Sequence, residues 1–299
     1  MDFRSDNTHG ASPEVLDALM RAGNGSITSY GGDEITDRVR DRCREIFERE
    51  LEIFPVVTGT AGNALAIAAM TPPWGAVFCH SDAHVHRDEM GAPEFFTGGA
   101  KLIAIDGANG KLEADLLART ITEIGEEGRT AKPSCVSVTQ ASEAGTVYSV
   151  EELRVLCDLA HRSGCRVHMD GARFANALVS SDATAAELTW KAGVDVLVLG
   201  GTKNGLLAAE LIVVFNPSLA EELATRWHRG GHRLSKMRFL SAQFDAYLTD
   251  DLWLRNARHA NAMAQRLASG LREVLRPVEA NVVFTRFTVE ERTRLQERG

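Results

Sequence analysis

The stretch VDVLVLGGTKNG, residues 194–205, joins a short apolar run to two glycines and a lysine. The run from Val194 to Leu199 has the length and composition of a buried strand. Gly200 and Gly201 follow it directly, and Lys203 comes two residues later. A lysine on an exposed surface needs no such setting, so a lysine at the end of a buried strand indicates a chemical role.

Similar strands recur along the chain, and helix-like segments separate one strand from the next. Strand-like runs lie at residues 51–57, 76–79, 101–105, 135–139, 166–169, 194–199 and 211–215. Helices are predicted from the Ser12-Pro13-Glu14 start and at 34–50, 61–70, 112–124 and 149–163. This alternation is typical of an α/β domain with a mostly parallel sheet.

The character of the chain changes after Ser218. Helical segments dominate from there, including a long one from Asp250 to Leu275, and a strand-like run, Ala280–Phe287, follows. We therefore expect a large α/β domain with an N-terminal helical arm over residues 1–250 and a small C-terminal α+β domain over 251–299. The small domain looks incomplete, because a lone strand has little to pair with.

The composition is that of an ordinary globular enzyme, with 44% hydrophobic and 25% charged residues among 299. A net charge of −8 without a basic tract argues against nucleic acid or an anionic membrane as the main partner. The apolar runs are too short to cross a bilayer, and the opening MDFRSDNTHG lacks the apolar segment of a secretion signal. Five cysteines without CxxC spacing fit free thiols in a reducing cytosol, so a cytoplasmic protein is expected.

Chemically active residue types follow five of the predicted strands. In an open parallel sheet, ligands bind at the carboxyl ends of the strands, so these segments would meet in one place. They are TGTAGNA (58–64), HSDAHVHRDE (80–89), QASEAG (140–145), DGAR (170–173) and GGTKNG (200–205). Each is a weak signal alone, but together they predict a binding site.

The segment TGTAG, residues 58–62, puts glycines and a helix N-terminus where a phosphate group could bind. A plain tight turn between strand and helix is the alternative. The segment lacks the GK[ST] ending of a P-loop and does not match GxGxxG, so nucleoside triphosphates and NAD are disfavoured.

The segment at 80–89 is rich in histidine and acidic residues, but it contains no HExxH or comparable ligand spacing. No metal site is therefore expected. His84 fits a histidine stacked on a planar cofactor, whereas His80 and His86 fit solvated loop histidines better.

Asp170 and Lys203 each follow or end a predicted strand. A buried acid needs a cationic or N–H partner, and Arg173 could supply one as a purely structural salt bridge. A shielded lysine can instead act as a nucleophilic amine. A lysine, a phosphate-binding loop and an acid at a strand end are together the parts of a pyridoxal 5'-phosphate (PLP) site, where the lysine forms a Schiff base and the aspartate pairs with the ring nitrogen.

Longer motifs carry a family resemblance. They are FRSDNTHG (3–10), SYGGDE (29–34), TGTAGN (58–63), SDAHVHRDEMGAPEFF (81–96), TQASEAGTVY (139–148), VHMDGARF (167–174), TWKAGVDVLVLGGTKNG (189–205) and SKMRFLSAQ (235–243). Through them the chain resembles the low-specificity L-threonine aldolases, and within these the Pseudomonas-like bacterial branch that includes phenylserine aldolases. The resemblance implies PLP as cofactor and the aspartate-aminotransferase-like fold of PLP-dependent transferases, fold type I.

The resemblance also implies roles for single residues. Lys203 would hold the cofactor, Asp170 would keep its ring nitrogen protonated, and His84 would stack on the ring and take part in acid–base chemistry at the substrate hydroxyl. Ser5 and Arg173 would hold the substrate carboxylate, with Arg173 also near the phenolic oxygen of the cofactor.

The remaining implied contacts concern the phosphate and the subunit interface. Gly59, Thr60 and Ala61 would cradle the phosphate group. Arg238 would reach the phosphate of a neighbouring subunit, and Tyr30 would line the same interface and the substrate site. The protein would then be a homodimer or homotetramer with shared active sites.

The chain departs from the family pattern in two places. Many relatives carry a histidine that faces the substrate hydroxyl in the segment matching residues 140–143, where this chain has Ser142 and Glu143. The general base and the preference between threonine and allo-threonine are therefore open. The family also has a second carboxylate-binding arginine in the C-terminal lobe, and we expect it in chain that continues beyond Gly299.

The activity that the resemblance implies is that of a carbon–carbon lyase. It would cleave L-threonine, L-allo-threonine and other β-hydroxy-α-amino acids to glycine and an aldehyde. The alternatives are a phenylserine aldolase or another PLP-dependent β-eliminating lyase on the same fold. The joint presence of Lys203, Asp170 and His84 disfavours a catalytically silent protein of this fold.

Overall fold

The computed structural model of the protein describes residues 5–126 and 131–297. Within them a seven-stranded sheet has the order β1-β7-β6-β5-β4-β2-β3. The strands are β1 (Glu52–Val56), β2 (Gly75–His80), β3 (Lys101–Ile105), β4 (Lys132–Thr139), β5 (Arg166–Gly171), β6 (Val196–Gly200) and β7 (Glu210–Val214).

Helices connect and cover these strands. They are α1 (Pro13–Ala22), α2 (Glu34–Phe47), α3 (Gly59–Met70), α4 (His84–Arg87), α5 (Ala92–Thr97), α6 (Ala114–Glu126), α7 (Val150–Arg162), α8 (Phe174–Leu178), α9 (Ala220–Arg229), α10 (Arg238–Leu248), α11 (Leu252–Ser269) and α12 (Val289–Glu297). Single 3-10 turns lie at Asp6–Thr8, Ala108–Gly110, Trp190–Ala192, Thr202–Asn204, Pro217–Leu219 and Thr249–Asp251.

The predicted mostly parallel sheet is confirmed. Strands β3, β2, β4, β5 and β6 pair in parallel, whereas β7 runs antiparallel to both of its neighbours, β6 and β1. Every residue of β2, β6 and β7 is buried. A strand buried along its whole length must be covered on both faces, so helices enclose the sheet from both sides.

Local sequence signals fix several of the helix ends. The predicted capping box is present in α7, where Ser149 Oγ accepts from Glu152 N and the Glu152 carboxylate accepts from Ser149 N. Asp33 caps α2 through Thr36 N at 3.0 Å. Ser12 precedes α1 but makes no such cap.

Helix α3 packs against the middle of the sheet at very short range. A Cβ atom added to Gly62 would lie 2.7 Å from a methyl carbon of Val198 on β6. The glycine therefore lets the helix approach the sheet closely. This packing fixes the N-terminus of α3 at the carboxyl ends of the parallel strands, which we call the carboxyl edge.

The strand predicted at Ala280–Phe287 is wrong. The segment contains no regular strand, because no strand of the described chain forms a ladder with it. Its Phe284 O accepts a single backbone hydrogen bond from Leu275 N at 2.8 Å, and its Ala280 is buried with Ala141 and Ala177.

The cysteines agree with the expectation of free thiols. All five cysteines are buried as free thiols. Among residues 5–126 and 131–297, no helix has the length and apolar character needed to cross a membrane.

Candidate active site

Three predicted residues meet at the carboxyl edge. His84 begins α4 just after β2, Asp170 is the last but one residue of β5, and Lys203 lies in the turn Thr202–Asn204 that follows β6. The imidazole of His84 interacts electrostatically with both Asp170 and Lys203. The topology thus gathers side chains from three separate strand ends into one site.

The Asp170 carboxylate is buried and held in place from two sides. Its Oδ1 accepts from the backbone N–H of Ala172 at 3.0 Å, and its Oδ2 accepts from Asn63 Nδ2 at 2.9 Å. A buried carboxylate with two such donors is stabilised and fixed in orientation. It is therefore a fixed negative charge at the rim of the sheet.

Asn63 and Glu89 extend this arrangement to His84. Asn63 Nδ2 also donates to Glu89 Oε1 at 2.8 Å, and the same oxygen lies 2.8 Å from His84 Nδ1. The Glu89 contact assigns the Nδ1 proton to this hydrogen bond and leaves His84 Nε2 directed elsewhere. We call His84, Glu89, Asn63 and Asp170 the histidine–aspartate network.

The histidine–aspartate network shifts the proton affinities of its members. The hydrogen bond to Glu89 raises the pKa of His84, and the nearby Asp170 adds to this, although burial opposes it. Burial raises the pKa of Glu89, although the hydrogen bonds from His84 and Asn63 oppose it. His84 therefore keeps its proton to a higher pH than a free imidazole.

Sequence reasoning did not assign roles to Asn63 and Glu89. The signal for Asn63 was its position as the polar side chain within the otherwise apolar, buried stretch 62–68 of α3. Such a residue must find a hydrogen-bond partner, and here the partners are two carboxylates. Glu89 is one of the acidic residues of the segment 80–89, but its pairing with His84 was not predicted.

The two other histidines of the segment 80–89 differ in their burial. Among residues 5–126 and 131–297, no group of three histidine, cysteine or acidic side chains is placed to hold a metal ion. His86 is exposed, as expected. His80 is buried, however, and it lies 3.0 Å from the carbonyl of Gly107, so the prediction of a solvated loop histidine is wrong for it.

The glycines before Lys203 are required by close backbone packing. A Cβ at Gly200 would lie 2.4 Å from the carbonyl oxygen of Ala172, and one at Gly201 would lie 2.2 Å from a methyl carbon of Leu206. Within the described chain, the half-buried Lys203 Nζ forms neither a hydrogen bond nor an ion pair. The loop therefore presents a free amine to the site.

The start of α3 provides backbone donors. Thr58 Oγ1 accepts from Ala61 N at 3.1 Å. The N–H groups of Gly59 and Thr60 have no acceptor in the part of the chain that the structure describes. A Cβ added at Gly59 would meet nothing within 4 Å, so the space before this helix end is open. An anion could bind there.

Arg173 is paired with a carboxylate that sequence reasoning did not identify. Its Nε and Nη2 donate to the two oxygens of Asp6 at 2.8 and 3.0 Å, and Asn281 Nδ2 also donates to Asp6 at 3.1 Å. Burial disfavours both charges, but each stabilises the other, so the pKa of Arg173 is raised and that of Asp6 is lowered. Asp6 leaves Nη1 of Arg173 unused.

Ser5 lies next to this pair but has its own contact. Its hydroxyl accepts from Asn7 N at 3.2 Å and caps the turn that carries Asp6. Ser5 is exposed. The turn thus brings Ser5 and the Asp6–Arg173 pair to the same end of the site.

Tyr30 and Arg238 lie elsewhere on the surface. Tyr30 is about half exposed and donates from its backbone N–H to Ser235 O at 3.0 Å. It lines a cavity of about 900 Å³ whose walls do not include His84, Asp170 or Lys203. Arg238 begins α10, and its buried Nε has no partner among the described residues. Among the described residues, neither forms a hydrogen bond or ion pair with His84, Asp170 or Lys203.

Comparisons with known proteins agree with this geometry. A model of the beta-eliminating lyase family matches residues 2–291. The chain is 42% identical to the low-specificity L-threonine aldolase of Pseudomonas sp. strain NCIMB 10558 and 43% identical to that of Pseudomonas aeruginosa. Each alignment covers 99% of this chain and 87% of the relative. The chain belongs to the beta-eliminating lyase family, among the low-specificity L-threonine aldolases.

The fold of this lyase was also predicted correctly. The solved structure of Leishmania major threonine aldolase superposes with a TM-score of 0.93 at 26% identity, over 99% of this chain and 87% of that one. The methionine aminotransferase YbdL of Escherichia coli, at 15% identity, superposes with a TM-score of 0.70 over 91% of this chain and 73% of its own, which supports the aminotransferase-like fold. Both the family resemblance and the fold type I prediction are therefore confirmed.

Proposed function

We propose that this lyase uses PLP to cleave L-threonine, L-allo-threonine and other β-hydroxy-α-amino acids into glycine and an aldehyde. The observation that carries the proposal is that the amine of Lys203, which has no hydrogen-bond or ion-pair partner among the described residues, and the fixed carboxylate of Asp170 both face His84 in one site. A structural salt bridge would have joined such charges to partners. Here, within the described chain, the lysine is left without a partner, whereas both oxygens of Asp170 accept hydrogen bonds.

The residues present fit PLP. The open N-terminus of α3, with Gly59, Thr60 and Ala61, would hold the phosphate group. Asp170 would pair with the ring nitrogen, and Lys203 would bind the aldehyde carbon. When bound, the cofactor supplies an electron-poor ring that takes up the electron pair left when a bond to the substrate Cα breaks.

The side chains around the cofactor would orient the reaction. His84, fixed by Glu89 through Nδ1, would stack on the ring face and direct Nε2 to the substrate. Arg173 would bind the substrate carboxylate through its unused Nη1, together with Ser5, while Asp6 keeps the guanidinium in place. Holding the carboxylate sets which bond at Cα stands perpendicular to the ring, and that selects cleavage of Cα–Cβ.

The assembly and domain predictions become part of the same proposal. Arg238, with its unpartnered Nε, and the exposed Tyr30 would complete the site of a neighbouring subunit in a homodimer or homotetramer. The boundary between domains 1–250 and 251–299 would lie at Asp250 and Asp251, whose positive φ angles separate α10 from α11. Free buried thiols support a cytoplasmic location.

Two measurements test the proposal. Purified protein supplied with PLP and L-threonine should release acetaldehyde and glycine in equal amounts. Lys203→Ala should lose at least about 10³-fold of this turnover, since the amine would be the covalent attachment point, and borohydride should no longer fix the cofactor to the chain. No aldehyde from threonine, allo-threonine or phenylserine would refute the aldolase. The relatives' names give no support to a different β-eliminating activity.

A further inference from the structure

A tight turn holds Glu143 at the carboxyl edge. The carbonyl of Ser142 accepts from Gly145 N at 2.8 Å, and the N–H of Ser142 donates to Thr146 O at 2.9 Å. Gly145 has φ +78°, and a Cβ there would lie 2.9 Å from Val282. The turn is thus held by its own hydrogen bonds, and it packs so closely on Val282 that only glycine fits at position 145.

Ser142 is not available to the site. Its hydroxyl lies 2.7 Å from Thr146 Oγ1 and 3.3 Å from the carbonyl of Asn109, and the side chain is fully buried. The residue next to it is therefore the one in this turn that can reach a substrate. Glu143 is half-buried, and in the described chain its carboxyl has no hydrogen-bond or ion-pair partner.

The charged groups around Glu143 are those of the proposed active site. From β5 and the turn after it come Asp170 and Arg173, from the loop after β6 comes Lys203, and from α4 comes His84. Burial raises the pKa of Glu143 and the charge of Asp170 adds to this, whereas the three cations oppose it. An acid with a raised pKa can exchange a proton closer to neutral pH than an ordinary glutamate.

We propose that Glu143 is the catalytic base for the β-hydroxyl group of the substrate, an inference that rests on the proposed aldolase function. The O–H bond of the hydroxyl breaks and its proton passes to the Glu143 carboxylate. The oxygen then forms the C=O bond of the aldehyde as Cα–Cβ breaks. The electron pair of that bond stays on the Cα side, and a proton added to Cα gives glycine.

Glu143 suits this step better than His84 does. Glu89 holds His84 through Nδ1 and raises its pKa, so at a given pH a smaller fraction of the imidazole is neutral and able to accept a proton. Among the described residues the Glu143 carboxylate has no competing hydrogen-bond or ion-pair partner, so its oxygens can accept from the substrate hydroxyl. Glu143 would thus act on the substrate hydroxyl in place of the histidine that many relatives carry in the segment matching residues 140–143.

The test separates chemistry at Cβ from chemistry at Cα. Glu143→Gln should lower the kcat for threonine cleavage by about 100-fold. It should leave the exchange of glycine Cα protons with deuterated water, followed by NMR, and the glycine Kd within about threefold, because glycine has no hydroxyl. Glu143→Asp should recover part of the activity. Glu279→Gln, which removes a carboxylate bound to Val147 N beside the same turn, is the matched control and should behave as wild type.

A readout without the cofactor completes the design. In the cofactor-free protein, the infrared difference between wild type and Glu143→Gln should contain a protonated-carboxyl band that titrates above the ordinary glutamate range. Full cleavage activity in Glu143→Gln, an equal loss of glycine exchange, or absence of this band would overturn the assignment. Wild-type protein that releases no aldehyde would overturn the aldolase proposal as well, so the two failures are distinguishable.

Discussion

Two clusters, each of which pairs a buried carboxylate with a histidine, lie at opposite ends of the parallel strands. At the carboxyl edge is the histidine–aspartate network. At the amino end of β6, the buried Asp195 accepts from His161 Nε2 at 3.0 Å, from Val167 N at 2.8 Å and from Asn216 Nδ2 at 2.7 Å. Both clusters contain the same kinds of groups, but Asp195 has three donors and needs none from outside.

The carboxyl edge differs in having atoms without partners. Glu89 Oε2 and Asn63 Oδ1 are buried and unbonded in the described chain, and Lys203 Nζ is free there too. Unsatisfied buried groups are costly, and in a native protein they mark a place where a ligand is expected. A buried charge by itself is therefore a poor sign of function, whereas a buried charge next to polar atoms without hydrogen-bond partners is a good one.

The largest expected effect comes from neutralising one aspartate in each cluster. Asp170→Asn should lower kcat for threonine cleavage by about 10²–10³-fold, because the charge proposed to pair with the ring nitrogen of the cofactor would be lost while the shape of the side chain is kept. Asp195→Asn should leave kcat within about threefold of wild type. Steady-state aldehyde release measures both. Equal losses of kcat in the two variants would mean that the two clusters do not differ in their role in catalysis.

The effect on stability should be the reverse of the effect on kcat, with a larger loss at the Asp195 cluster than at the histidine–aspartate network. Asp195→Ala should lower the free energy of unfolding by about 2–3 kcal/mol, since it leaves the buried N–H of Val167 and the Asn216 amide without their acceptor. Glu89→Gln should cost less than about 1 kcal/mol, because one of its carboxylate oxygens already lacks a partner. Urea denaturation of the cofactor-free proteins would measure the difference, and a larger loss for Glu89→Gln would contradict the comparison.

The smallest expected effect is in the pH dependence of unfolding. Burial opposes ionisation of Asp195, but its donors outweigh it and its pKa lies below the ordinary 3.8. Its stabilising contribution is therefore present above that value and is lost as pH falls through the lowered pKa. The pKa of Glu89 lies above the ordinary 4.5, mainly through burial. Its contribution is present below 4.5 and is lost as pH rises through the raised pKa.

Two substitutions would separate these two opposite dependences of stability on pH. Asp195→Asn should remove part of the acid-side loss of stability, whereas Glu89→Gln should remove part of the loss on the rise toward neutral pH. Thermal unfolding at a series of pH values would measure both. The same slope change in the two variants would show that the carboxylates titrate alike.

The sequence predicted which strand ends lie together, whereas the roles of the residues at those ends stay predictions. Strand-like runs followed by polar segments identified His84, Asp170 and Lys203, because parallel strands bring their carboxyl ends to one edge. The error at Ala280–Phe287 has a physical cause. An apolar alternating run predicts a strand, but a strand forms only where a neighbouring strand supplies its hydrogen bonds.

By itself, then, the sequence determined the order of the strands and helices, the glycines that admit the Lys203 loop, and the family to which the chain belongs. The tertiary structure alone decided which side chains pair. Asn63 meets Asp170 across 107 residues, and Asp6 meets Arg173 across 167. Residues this far apart in the sequence cannot be predicted to touch from their spacing. The contacts form only when the packing of the helices on the sheet fixes the position of each side chain.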